Sequence, residues 1–196
     1  MSRNFILNLI GIIFLVFGIA AIINTIVYLD EGLAPLLWLS YICLILLAIG
    51  VLRKDASLIA SQLCIIAIPY IVWTLDFFYY IFNGISLFGI VDYFFQPGPI
   101  IGKIISSQHL FNLPLSLIVL YLIRLKRTDF WIISSAQVFL IFIITRLVTS
   151  YELNVNCVYH QCGIVSFGLP YVFEWFLAYA LMIIITSFIL VKLFKR

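Results

Sequence analysis

Uninterrupted apolar length constrains this chain more than any other feature. Residues 4–29, 32–52, 56–75 and 104–123 contain no Asp, Glu, Lys or Arg, and each approaches or exceeds the ~20 residues a helix needs to cross a ~30 Å hydrocarbon core. Two further apolar stretches, 130–145 and 175–191, reach that length with their flanking residues. None alternates with the period of two of a membrane barrel, and a helix satisfies its own backbone in lipid, so the runs predict helices. A soluble fold lacks the polar surface it would need: 65% of the residues are hydrophobic and 10% charged, against about 45–50% and about 25% in soluble domains.

The predicted fold is all-α, a polytopic transmembrane helical bundle forming one integral membrane domain over 1–196. Its six spans fall at roughly 5–28, 35–52, 57–80, 99–123, 129–149 and 167–191. Arg3 precedes the first run as in a signal peptide, but the run exceeds the usual ~7–15-residue apolar core and opens onto no small-x-small site, so it reads as a retained helix. Segment 84–98 is too short to cross alone. Interrupted by Gly89 and Asp92 and halted at Gln96-Pro97-Gly98-Pro99, it reads as an interfacial or re-entrant piece.

The basic residues orient the bundle. Arg3, Arg53, Lys54, Arg124, Lys126, Arg127, Lys192, Lys195 and Arg196, nine of the eleven Lys and Arg, fall on one face of the membrane, and only Lys103 and Arg146 lie within spans. The other face receives Asp30, Glu31, Asp92 and Glu152. Short loops rich in Lys and Arg stay cytoplasmic, so both termini are expected inside a cell membrane. Trp38, Trp73 and Trp175 fall toward the outer helix ends and Trp131 near an inner one, as amphipathic indoles at headgroup level do.

Ionisable side chains inside spans gather toward the outer half. Asp76 lies late in the third span, His109 about ten residues into the fourth, Arg146 near the end of the fifth and Glu174 early in the sixth. At ~1.5 Å per residue His109 lies ~15 Å deep. A charge at the bilayer centre costs roughly 2.5–3.5 kcal/mol or more, so such residues usually face the bundle interior and often mark function. A polar pocket open to the non-cytoplasmic face is expected, against the alternative that Asp76, Arg146 and Glu174 reach the headgroups or pair together. His109 and Asn112 are i,i+3 neighbours, and Pro114 cannot donate to the Leu110 carbonyl, so a kink is expected beside the histidine. The imidazole could serve as general base, metal ligand or proton carrier, or could simply join two helices.

The loop 151–163 is the most polar on the outer side. Cys157 and Cys162, five positions apart, permit a small disulfide ring in an oxidising compartment. Unpaired packing thiols, a thiolate nucleophile at Cys157 and metal ligation are the alternatives. Asn154 and Asn156 begin no glycosylation sequon and are candidates for turning the loop back into the bundle. There is no H-E-x-x-H, G-x-S-x-G or phosphate-cradling glycine loop, and only two histidines, so neither a metal site nor a cofactor is expected. Nothing marks a nucleic-acid surface; the expected partner is membrane lipid.

Trp73-x-x-Asp76-Phe77, Ser106-x-x-His109-x-x-x-Leu113-Pro114 and Asn154-x-Asn156-x-Val158-Tyr159, in that order, resemble the motifs of a family of small, largely uncharacterised microbial multi-spanning membrane proteins. The resemblance covers roughly 73–159 and implies an aromatic residue where this chain has Cys157. That argues against a nucleophilic cysteine and groups Asp76, His109 and the two asparagines as candidates for one site.

Three functions compete. A lipid hydrolase or acyltransferase would use His109 as general base, Asp76 as its orienter, and Arg146, Asn154 and Asn156 to hold a phosphate or stabilise an oxyanion, with Asn112 and Glu174 lining the pocket. Its nucleophile would be Ser106, Ser107 or Cys157. A transporter or binding protein would use the same cluster to hold a small solute or a proton. In a structural or assembly protein the pocket is only packing.

Overall fold

The computed structural model describes residues 2–27, 32–162 and 168–195. Asp30, Glu31 and Arg196, used above to orient the bundle, lie outside them. The described residues hold eight α-helices and no strand beyond one isolated bridge: α1 (Arg3–Val27), α2 (Leu39–Leu52), α3 (Ala56–Asn83), α4 (Asp92–Phe95), α5 (Ile100–Ser106), α6 (Gln108–Ile123), α7 (Phe130–Val148) and α8 (Tyr171–Phe194). Two 3-10 turns cover Ala34–Leu37 and Val155–Cys157.

Among the described residues, five helical stretches are long and apolar enough to cross a membrane: α1, α3, the α5–α6 pair, α7 and α8. The span expected at 35–52 is instead a short helix entered by a turn. Pro35 and Leu33 set up the 3-10 turn, and only the 14 residues of α2 are α-helical. At ~1.5 Å per residue α2 is ~21 Å long, short of a ~30 Å apolar core, and the extended Trp38 separates it from the turn. Beside the expected kink at Pro114 there is a break in the helix nearer the histidine. The helix α6 runs through Pro114, while the interruption falls at Ser107, whose N–H closes α5 on the Lys103 and Ile104 carbonyls and whose carbonyl accepts the Leu110 N–H.

Two glycines of α1, seven positions apart, seat side chains of α2. A Cβ at Gly11 would lie 2.7 Å from Leu52 Cδ2, and one at Gly18 would lie 2.4 Å from Ile45 Cδ1. Small residues at such seams let helix backbones approach where lipid offers no hydrophobic driving force.

The centre of the bundle is α3, which packs against α2, α6, α7 and α8. Asp55 caps its start, with Oδ1 accepting the N–H of Ser57 and Leu58 at 3.0 Å. Gly84, at φ +73°, ends it by donating to the Tyr80 carbonyl. Inside the bundle the amides of Gln62 and Gln137 bond reciprocally at 2.9 and 3.1 Å, and Ser134 Oγ donates to the Ser61 carbonyl at 2.8 Å. Interhelical bonds of this kind contribute about 0.6–2 kcal/mol each in a membrane.

Sequence charge maps onto one end of the bundle. Arg3, Arg53, Lys54, Arg124, Lys126 and Arg127 line a common cleft there, and the Leu125 N–H donates to the Phe194 carbonyl at 3.1 Å, which brings the end of α8 to the same place. The opposite end carries residues 32–38, 84–98 and 149–162. There the segment 84–98 folds back over the end of α3, with Tyr80 and Phe95 stacked at 3.8 Å between centroids and Phe77 edge-on to Phe94 at 5.2 Å.

Candidate functional site

A cavity of about 440 Å³ lies at the end opposite the basic cleft, between α2, α3, α6, α8 and the 150–162 loop. Trp38, Ser40, Tyr70, Trp73, His109, Asn156, Tyr179 and the Cys157–Cys162 pair form its polar and aromatic wall, and aliphatic side chains with Met182 form the rest. No Asp, Glu, Lys or Arg lines it among the described residues. Its volume falls within the ~300–1,000 Å³ of ligand pockets, and a mostly apolar lining with few polar groups is their usual chemistry.

His109 is held on all sides but one. Its Nδ1 lies 2.7 Å from the Ser106 carbonyl. A carbonyl only accepts, so Nδ1 carries the proton and in the neutral ring Nε2 carries the lone pair. Trp73 stacks on the imidazole at 4.8 Å between centroids and 19° between planes, and Tyr70 meets it edge-on at 4.6 Å. Trp73 is itself fixed by Nε1 donating to the Tyr93 hydroxyl at 3.1 Å. Nε2 has no hydrogen-bond partner among the described residues, which leaves one fixed acceptor on an aromatic wall.

Asp76 is not joined to His109. Fully buried, its carboxylate accepts four backbone N–H groups: Leu87 and Phe88 on Oδ1 at 2.7 and 2.8 Å, Ile90 and Val91 on Oδ2 at 2.8 and 3.1 Å. Those groups belong to the 84–91 turn, which positive-φ Gly84 and Gly89 allow to curl around the carboxylate. The side chain expected to orient the base instead anchors the segment that closes over the end of α3. Ile90, held by that carboxylate, does line the cavity, so Asp76 shapes the site through its backbone partners.

The asparagines organise the loop. Asn156, at φ +56°, accepts the Leu39 N–H at 2.8 Å and donates to the Leu37 carbonyl at 2.7 Å, bridging the turn-to-helix junction that begins α2. Its carbonyl accepts from Trp175 Nε1 at 2.9 Å. Asn154, at φ +40°, accepts the N–H groups of Tyr159 and His160 on Oδ1 and donates to the His160 carbonyl at 2.9 Å. Cys157 and Cys162 form a disulfide, so neither is a thiolate nucleophile, and the bridge itself lines the cavity.

The remaining residues of the expected pocket lie outside it. Arg146 is exposed, its guanidinium 5.1 Å from the Tyr159 ring centroid and 5.4 Å from that of Phe142. Depth along the helix brought it to the right level, but its azimuth turns it outward. Glu174 is buried in the first turn of α8 and accepts the Leu169 N–H at 3.1 Å. Asn112 is fully buried behind the cavity wall, donating to Gln108 Oε1 at 3.2 Å.

Sequence reading passed over several residues of this region. Tyr70 lines the cavity, is buried and has no hydrogen-bond partner for its hydroxyl, which lies beside Asn112. Gln108 and Ser116 form, with the Asn112 that the sequence did single out, a buried row at i, i+4 and i+8 on α6, and that spacing was the available signal. Pro69 lies within α3 and, lacking an N–H, frees the carbonyl of Ile65; both residues line the cavity. Among the described residues no group of three His, Cys, Asp or Glu is placed to hold a metal ion. No known family, curated protein or solved structure matches the chain.

Proposed function

We propose that this membrane protein binds an amphipathic, lipid-derived molecule in the cavity walled by Trp73 and His109. The observation that carries the reading is the pairing of an apolar, aromatic, charge-free lining with a single oriented imidazole acceptor. An alkyl or isoprenoid body fits such walls, and a hydroxyl on the ligand donates to His109 Nε2.

Binding or carriage is favoured over hydrolysis or acyl transfer by what surrounds the imidazole. Asp76 is committed to four backbone donors, and the two cysteines are oxidised to a disulfide. A general base needs a nucleophile within hydrogen-bond reach; Ser106 and Ser107 do not line the cavity, and Ser40, which does, makes no hydrogen bond to His109 among the described residues.

The basic end is the cytoplasmic one in this reading, which places both termini inside a plasma membrane and the cavity toward the outer face. The disulfide at the opposite end supports the same orientation, since such bonds persist in oxidising compartments. Mass spectrometry of lipids retained by the purified protein tests the assignment. A hydroxyl-bearing lipid should co-purify with the wild type and fall at least tenfold in His109→Phe and in Met182→Trp, which fills the cavity. Identical lipid content in all three folded proteins would reject it.

A further inference from the structure

The end of the bundle away from the His109 cavity holds a second concave site. A cleft of about 510 Å³ is lined by Arg3 from α1, Arg53 and Lys54 from the α2–α3 loop, and Arg124, Lys126 and Arg127 from the α6–α7 loop. One acidic residue, Asp55, shares it, and that carboxylate is already bonded to the start of α3. Arg127 pairs with Asp129, and Lys54 Nζ donates to the neutral Asn4 Oδ1 at 2.9 Å. Among the described residues no carboxylate lies within ion-pair distance of Arg3, Arg53, Arg124 or Lys126.

A cytoplasmic location asks only that basic residues share a side of the membrane. It does not ask three separate segments to converge on one cleft, where like charges repel. Two of the residues also hold backbone conformations that favour glycine, Lys54 at φ +55° and Arg124 at φ +64°. Such strain persists where the surroundings over-determine it and clusters at ligand sites.

We propose that this cleft binds clustered phosphate, carried on the headgroup of an anionic membrane lipid. Arg offers a planar fork that matches phosphate oxygens in pairs, and basic pockets between helix ends at a membrane surface suit phosphorylated headgroups. The cleft lies where α1 and α3 begin and α2 and α6 end, the depth that headgroups occupy. Arg124 is stacked at 4.5 Å over Tyr121, whose ring is exposed on the lipid-facing side of α6 and holds the guanidinium at the rim.

The test uses the full chain in vesicles of phosphatidylcholine containing a minor fraction of phosphatidylinositol bisphosphate, with retained lipid counted by native mass spectrometry. Wild type should retain the bisphosphate lipid at least tenfold above its share of the mixture. Arg53→Gln with Arg124→Gln should lose that enrichment, Arg53→Lys with Arg124→Lys should keep most of it, and Lys103→Gln with Arg146→Gln, remote from the cleft, should leave it unchanged. All variants are compared at matched thermal stability. No enrichment in wild type, or equal loss in the remote pair, would overturn the proposal. Inorganic pyrophosphate displacing the retained lipid would support the phosphate site; pyrophosphate binding with no lipid enrichment would overturn the lipid as its source.

Discussion

Trp73 lies on His109 with ring centroids 4.8 Å apart and planes 19° from parallel, and this stack aligns the two segments on which the site depends. Trp73 belongs to α3, whose next turn carries Asp76 and the folded-back 84–98 segment, and His109 opens α6. Removing the indole frees the imidazole to rotate. Trp73→Ala should therefore lose cavity binding while His109 is still present, whereas Trp73→Phe, which retains a stacking ring but not the bond to Tyr93, should lose less. Lipid retained per folded protein checks both variants.

The carboxylate of Asp76 needs both oxygens as acceptors. In Asp76→Asn one would become an NH₂ facing the N–H groups of two loop residues, so two bonds become donor–donor contacts. Leaving buried donors unpaired costs about 1–3 kcal/mol each, and a loss of about 2–5 kcal/mol is expected. Its signature is local: hydrogen exchange at residues 87–91 should accelerate while the centre of α3 stays protected.

Asn156 combines a left-handed backbone with a side chain that bonds across the start of α2. Asn156→Asp should destabilise the fold by about 2–3 kcal/mol, because one carboxylate oxygen would confront the Leu37 carbonyl. Asn156→Gly loses both bonds, whereas Asp keeps the one from Leu39, but Gly relieves the positive φ and sets no charge against the Leu37 carbonyl, and it should fall between Asp and wild type in denaturation midpoint.

The disulfide closes a short ring. For a loop of about six residues the chain-entropy relation gives about 2 kcal/mol. Cys157→Ser with Cys162→Ser should lower stability by about that amount, and the wild-type cysteines should react with alkylating reagent from outside the cell only after reduction. Reaction without reductant, or reaction from the cytoplasmic side alone, would contradict the placement of this loop.

Five helical stretches long and apolar enough to cross a membrane were legible because lipid demands length and apolarity, while 35–52 is a shorter helix behind a turn; the basic end was legible because Lys and Arg cluster at helix boundaries. What sequence could not supply was azimuth and long-range backbone partnership. Depth alone put Asp76, His109, Arg146 and Glu174 in one layer, yet only His109 faces the cavity. The donors that occupy Asp76 come from the backbone of an apolar run, Leu87 to Val91, where no side chain advertises the contact. Gln62 and Gln137 are 75 positions apart, and neither marks the other in the sequence. Residues of the three motifs lie near one another for a physical reason. Trp73 and Asp76, Ser106 and His109, and Asn154 and Asn156 all serve the same end of the bundle, as stack, loop anchor, ring acceptor and loop bridge.

The most direct test of the central claim is the ¹⁵N spectrum of the two histidines in the lipid-embedded protein, with His109→Phe assigning the signals. The account predicts that His109 is neutral, protonated at Nδ1, with a lone pair on Nε2 whose resonance shifts when retained lipid is stripped away. A proton on Nε2, or a His109 spectrum indifferent to the removal of lipid, would contradict it.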